Sequence, residues 1–283
     1  MILVTGATGH TGSRLVKNLL DQGRRVRCLL HDERNRSRIP AGAEIVSGDL
    51  QEPDVLSAAL HSVATFINIA HIRFAPALIP ILEREGIRRA LFMSSTRRFT
   101  RFPCPSADQV IRGEEAIRNS SLDYTIIRPS MIYGGPNDNN MTKLVNHLRR
   151  WPVFPVFGNG RNLIQPVFVH DLVRVFAHCL ERPETIRREY TIAGPEPITY
   201  REALRVIARA LNRSVLFVPV PISLCMPLVR VYEAVSTKPR VTQEQVRRFG
   251  EDKVFDITPA RRELDFSPVS FEEGIRLKLA GEA

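Results

Sequence analysis

Residues 4–12 read "VTGATGHTG", and the fold turns on how this stretch is read. Gly6, Gly9 and Gly12 recur every third residue between a short apolar strand pattern, "MILVTG", and a helix pattern running from about Ser13 to Gln22. Such a loop has a physical task. The first glycine makes the tight turn out of the strand, the second lets backbone N–H groups approach a pyrophosphate, and the third lets the helix close on the turn. The helix N-terminus adds positive potential. Thr5, Thr8, His10 and Thr11 interleave with the glycines and belong to the same predicted contact set. With a strand before it and a helix after it, the motif reads as a dinucleotide site.

Outward from this loop the pattern repeats. "RVRCLL", "AEIVSGDL", "TFINIA", "RALFMSS" and "YTIIRPSMIYG" are strand-like. They alternate with helix patterns in "PDVLSAALHS", "APALIPILEREG" and "DQVIRGEEAIRNS". Short apolar strands separated by amphipathic helices predict an α/β, doubly wound parallel sheet covered on both faces. After about residue 135 the rhythm breaks at "GGPNDNN" and "WPVFPVFGNGRN". The expected division is a dinucleotide-binding domain over 1–135, with a segment returning at about 160–195, and a smaller, mainly helical lobe over 136–283. A lobe at the carboxyl edge of the sheet makes the substrate cleft.

Composition narrows the class. The chain has 283 residues and a formal charge of +10, with only five Lys among its 40 basic residues. The Arg residues are scattered in pairs, which fits a compositional bias better than a nucleic-acid surface. The most apolar run, "VLFVPVPISLCMPLVRVYEAV" (215–235), is broken by three prolines and carries Arg230, so no membrane span is expected. Four widely spaced Cys read as reduced thiols. The start enters a strand directly, and a cytoplasmic protein is expected. The His residues lack ligand spacing and imply no metal. The expected partner is a small-molecule substrate, with a homo-oligomer or a protein partner compatible with the sequence.

The G-x-x-G-x-x-G spacing within "TGATGHTG" resembles that of the extended and atypical short-chain dehydrogenases/reductases, and the likeness runs nearly to the C-terminus. It implies that Asp49 and Leu50 of "SGDL" meet the adenine. "FINIA", ending at Ala70, lies along the ribose and pyrophosphate, and Pro129 of "IIRPSMIYG" borders the nicotinamide. At the end of the second strand, NAD binders place a carboxylate and NADP binders an Arg. The acidic position falls on Leu30 and the Arg position on His31, with Asp32, Arg34 and Arg36 close by. The sequence leans to NADP, with NAD as the second choice.

The family's chemistry uses a Tyr and, four residues later, a Lys, with a Ser or Thr near the fifth strand holding the substrate oxygen. Ser94, Ser95 and Thr96 are candidates for the last role. The interval "PSADQVIRGEEAIR" (105–118) contains neither Tyr nor Lys. Aligning Glu114 with the family's helix Glu puts Ser106 and Val110 at the two positions, and a two-residue shift puts Asp108 and Arg112 there. Both registers read as helix surface, where reinstating Tyr and Lys leaves folding intact. Nucleotide-sugar epimerases of the family carry an Arg where this chain has Ile164. "QPVFVHDL" and "AGPEPITYREAL" look instead like the atypical branch, which includes NmrA-like proteins, quinone-reductase-like enzymes and an accessory subunit of respiratory complex I. Asp171 is read as the cap of its helix. The resemblance implies an oxidoreductase or epimerase-like enzyme on a small carbonyl or quinone, or else a silent NADP(H)-binding sensor or assembly subunit.

Overall fold

Seven apolar segments, four to seven residues long, line up as one parallel sheet. The computed structural model describes residues 1–135, 138–236 and 243–281; Pro136 and Asn137 of "GGPNDNN" lie outside the described residues. In chain order the first half runs β1 (Ile2–Thr5), α1 (His10–Asp21), β2 (Val26–Leu30), β3 (Glu44–Ser47), α2 (Pro53–Leu60) and β4 (Thr65–Asn68). It continues with α3 (Ala75–Arg84), β5 (Arg89–Met93), α4 (Pro105–Arg118) and β6 (Asp123–Pro129). The second half adds β7 (Ile132–Tyr133), α5 (Asn139–Arg150), β8 (Val153–Phe157), β9 (Leu163–Ile164), β10 (Val167–Phe168), α6 (Val169–Glu181) and β11 (Arg188–Ile192). It ends with β12 (Ile198–Thr199), α7 (Tyr200–Ala210), β13 (Leu216–Val220), α8 (Ile222–Val235), α9 (Gln243–Phe249), α10 (Thr258–Leu264) and α11 (Phe271–Ala280).

The sheet order is β11-β6-β5-β4-β1-β2-β3, doubly wound as the alternation predicts. β1 lies between β2 and β4, with Leu3 opposite Arg27 on one side and Phe66 on the other. Strand addition reverses direction there, which opens a crevice at the carboxyl ends beside the glycine loop. Two apolar layers cover the faces. Leu15, Val16 and Leu19 of α1 pack with Phe176 of α6 on one face; Leu56, Leu78, Leu82, Val110 and Ile117 of α2, α3 and α4 cover the other. Each such side chain, fully buried, contributes about 1.5–3 kcal/mol. A third cluster, including Tyr133, Leu148, Val156, Leu204, Ile207 and Ile275, is built by the later elements.

Three details differ from the sequence reading. α1 starts at His10, three residues early, because Gly9 adopts an extended N-cap conformation and the helix begins directly behind it. The later elements include three two-stranded sheets, β7–β10, β9–β12 and β8–β13, among the helices. Asp171 does not cap α6: β10 runs straight into that helix with Phe168 at the N-cap, so no loop residue remains for the role. The buried Asp171 carboxylate instead accepts from the Val269 N–H at 3.0 Å and from Arg174, tying the C-terminal segment to α6.

Candidate functional site

The glycine loop is built for close approach. Gly6 has φ +72°, and a Cβ there would lie 2.7 Å from the Ala70 nitrogen, so a side chain would force β1 and β4 apart. A Cβ on Gly12 would lie 2.1 Å from the Gly6 carbonyl oxygen. Gly9, at the N-cap of α1, offers no side chain to the N–H groups of the first turn. Uncapped donors at the positive end of a helix, beside the switch in strand order, fit the pyrophosphate of a dinucleotide. Thr8 is half-buried, Thr11 is buried, and the Thr5 hydroxyl donates inward to Asn68 Oδ1 at 2.7 Å. The Asn68 side chain, which the sequence reading missed, thereby pins the end of β1 to the end of β4.

At the far end of the crevice, parallel pairing of β2 with β3 sets Leu30 opposite Ser47. That register carries His31 to Asp49, with Nδ1 3.6 Å from Oδ2. Asp49 also accepts from the Gln51 N–H at 2.9 Å, while Leu50 is buried against the sheet. Arg34 turns back on Asp32 through Nε and Nη2, at 3.0 and 2.8 Å, and these bonds lower the Asp32 pKa. Arg36 pairs similarly with Glu33 at 3.2 Å. Both arginines remain exposed.

A cavity of about 320 Å³ opens at the carboxyl ends of β5 and β6. Ser95, Thr96 and Arg97 line one side, Ser130 and Met131 another, and Ile164, Tyr200, Lys253 and Phe255 close it from the later elements. A strap pinned at successive residues holds this wall. Glu251 accepts from Thr100 Oγ1 and the Arg101 N–H at 2.9 and 2.6 Å; Asp252 accepts from the Leu163 N–H at 2.8 Å. The Phe255 N–H donates to Gln165 Oε1 at 2.8 Å, and Gln165 donates to the Gly194 carbonyl at 2.8 Å. Burial pushes the Tyr200 phenol up to about 12, so it is a hydrogen-bond donor at neutral pH. Tyr200 and Lys253 are remote in sequence from β5, and no local pattern marks them.

Ser94 is not part of this lining. Its hydroxyl donates to Glu114, a carboxylate with no exposed surface that also accepts from Arg128 Nε at 2.7 Å and Nη2 at 2.8 Å. Arg98 and Arg118 complete the shell of Glu114, and Arg118 and Arg128 also hold Glu189. Buried charges persist only when paired in this way. The two registers considered for α4 separate sharply. Asp108 and Arg112 are exposed, whereas Ser106 accepts from Arg97 Nη1 at 2.8 Å and Val110 is buried in the core. Surface tolerance therefore does not hold at Val110, because a Lys there would place an ammonium among Ile117, Leu78 and their neighbours.

The parallel sheet, the glycine crevice and the cavity beyond it define a Rossmann-type, nicotinamide-dinucleotide-binding protein. The chain belongs to the NAD(P)H-binding family, which matches over residues 6–149. The NAD-dependent epimerase/dehydratase family matches over residues 109–193. A photosystem II assembly factor of Synechocystis sp. is 22% identical, over 94% of this chain and 86% of its own. An NAD(P)H azoreductase of Xenophilus azovorans is 22% identical, over 78% and 77%. The crystal structure of UDP-glucuronic acid 4-epimerase from Bacillus cereus with NAD superposes with a TM-score of 0.79 at 17% identity, covering 99% of this chain and 97% of that one. That structural likeness shows the fold.

Proposed function

We propose that this chain is an NAD(P)H-dependent oxidoreductase acting on a small, conjugated, mostly apolar acceptor of the quinone or carbonyl type, with NADPH preferred. The observation that carries the reading is the cavity beyond the crevice, where Ser95, Thr96 and Arg97 converge among Met131, Tyr200 and Phe255. Gly6, Gly9 and Gly12 with Thr8, His10 and Thr11 hold the pyrophosphate, Asp49 and Leu50 the adenine, and Ala70 and Pro129 border the ribose and nicotinamide. His31 and Arg34 meet the adenosine ribose and its phosphate. When bound, the nicotinamide supplies a hydride.

Thr96 and Ser95 donate to the acceptor oxygen, and the Arg97 guanidinium stabilises the oxyanion left by reduction. A quinone spreads that charge over its ring and takes its proton from water. A conjugated acceptor therefore tolerates Ser106 and Val110 where a simple ketone would need the phenol and ammonium. Ile164 stands in the cavity wall at the position where the sequence resemblance puts the Arg of nucleotide-sugar epimerases. The likeness to an azoreductase agrees with a conjugated acceptor.

A second reading, a silent NADP(H) binder that stabilises a partner assembly, is favoured by the likeness to an assembly factor. Fluorescence titration with NADPH and NADH, followed by absorbance assays on a panel of quinones, azo dyes and aldehydes, separates the two. Turnover that falls in Thr96→Val while NADPH affinity stays unchanged supports the enzyme. Tight NADPH binding with no turnover supports the silent binder, and binding of neither cofactor overturns both.

A further inference from the structure

The geometry points to a membrane-docking face on the two-stranded sheet β8–β13: we infer that it seats on an anionic phospholipid bilayer. The strands run parallel, with Leu216 opposite Val153 and Val218 opposite Pro155. Opposite residues share a face, as do residues two apart on one strand. These four side chains therefore form one surface, and it is uncovered: Leu216 is 64% exposed, Val153 45% and Val218 39%, with Pro155 exposed beside them. The alternate residues turn inward, where Val156 is buried and Phe154 and Phe217 pack against the third core cluster. An apolar sheet face left in water marks a contact surface.

Charge selects the occupant. Because the pair is parallel, both strands begin at the same edge, and the Leu216 N–H donates to the Pro152 carbonyl at 2.8 Å. That edge gathers Arg149, Arg150 and Trp151 before β8 and Arg213 before β13, and all four are exposed. The Arg150 guanidinium lies 5.5 Å from the Trp151 ring centre, an aromatic–cation pair suited to the headgroup layer. From Asn139 to His170 there is no Asp or Glu but four Lys and Arg, and on α7 Glu202 pairs with Arg205 and Arg209, so Arg149, Arg150 and Arg213 carry the positive charge of this edge. A second copy of a chain carrying +10 would be repelled from such a face, and a nucleic acid offers no apolar phase for Leu216 and Val153. An anionic bilayer supplies negative phosphates and, just below them, hydrocarbon. Among the described residues no helix is long and apolar enough to cross a membrane, so the contact is interfacial.

Co-sedimentation with vesicles tests the inference, using phosphatidylcholine alone and phosphatidylcholine mixed with phosphatidylglycerol. The full chain is expected to bind the phosphatidylglycerol vesicles, to leave pure phosphatidylcholine in solution, and to be released as salt shortens the Debye length. Replacing Arg149, Arg150 and Arg213 by Gln is expected to weaken partitioning on the order of a hundredfold, at about fivefold per charge. Trp151→Ala with Leu216→Ser is expected to weaken it about tenfold. Leu216→Ser alone serves if the double variant melts early. Gln at Arg25, Arg88 and Arg188, exposed at the amino edge of the central sheet, is expected to change little. The inference is overturned if the full chain ignores phosphatidylglycerol vesicles, if the two arginine sets matter equally, or if the apolar variants bind undiminished. It is also overturned if the face proves to hold a protein, seen as an assembly that Leu216→Ser dissolves in a chain that binds no vesicles.

Discussion

Arg34 grips Asp32 at the carboxyl end of β2, with Nη2 2.8 Å from Oδ2 and Nε 3.0 Å from Oδ1. The pair holds both possible answers to cofactor choice in one contact: the carboxylate suits ribose hydroxyls, and the guanidinium suits a phosphate. If Arg34 moves from Asp32 to the phosphate of NADPH, Arg34→Ala is expected to weaken NADPH binding about tenfold and leave NADH almost unchanged. Asp32→Asn, which loosens the grip on Arg34, is expected to shift the ratio toward NADPH. Parallel fluorescence titrations of both cofactors read the outcome, and equal losses for the two would show that Arg34 does not discriminate.

Glu114 balances three arginines from within the protein. Glu114→Ala leaves Arg128 and Arg98 without their shared carboxylate and is expected to cost about 3–5 kcal/mol of stability. Ser94→Ala removes one donor to the same carboxylate and is expected to cost about 1–2 kcal/mol. Urea unfolding measures both. A Ser94→Ala chain with full stability and lost turnover would move Ser94 out of the structural network and into the chemistry.

Stability is expected to fall in two stages on acidification. Burial, and then the charges of Arg14, Lys278 and His170, lower the His10 pKa to about 4. A folded value below the ordinary 6.5 means that this contribution is complete above pH 6.5 and is lost as the pH falls toward 4. Burial opposes ionisation of Glu189, but the hydrogen bonds from Arg118 and Arg128 prevail and bring it to about 2. Its contribution is complete above pH 4.5 and is lost as the pH falls toward 2. Urea midpoints measured from pH 8 to pH 3 should decline first through the histidine range, and His10→Leu should make that first decline shallower.

Reinstating the missing pair separates the two registers. Ser106→Tyr with Val110→Lys is expected to lower the melting temperature by many degrees, since Lys replaces a core side chain. Asp108→Tyr with Arg112→Lys changes exposed positions only and is expected to shift stability by no more than about 0.5 kcal/mol. Differential scanning calorimetry distinguishes them; equal melting temperatures would place Val110 outside the core.

Much of this molecule is local information. The glycines at 6, 9 and 12 need only a strand before them and a helix after them, and both are visible as hydrophobic period. Six of the seven strands and the doubly wound class follow from the same alternation, because a right-handed crossover leaves few arrangements for it, whereas β11 lies beyond the break in that rhythm. Near neighbours along the chain, such as Asp32 and Arg34 or Asp49 and Leu50, were already together on the page. Local pattern misjudged Val110, since one helix position in four can face the core or water depending on what packs there, and Asp171, whose partner Val269 lies nearly a hundred residues away.

The sequence by itself determined the glycine crevice, because a turn, its glycines and the helix behind it are set by backbone sterics within a dozen residues. Only the tertiary structure decided which side chains share a volume. Folding brought His31 to Asp49 through the register of two strands, Glu114 to Arg128 through the packing of α4 on β6, and Tyr200 and Lys253 to Thr96 across the cavity. It also left the outer face of β8–β13 bare. Such meetings depend on crossovers and close packing over long loops, and those act through space on residues whose separation along the chain carries no trace of them.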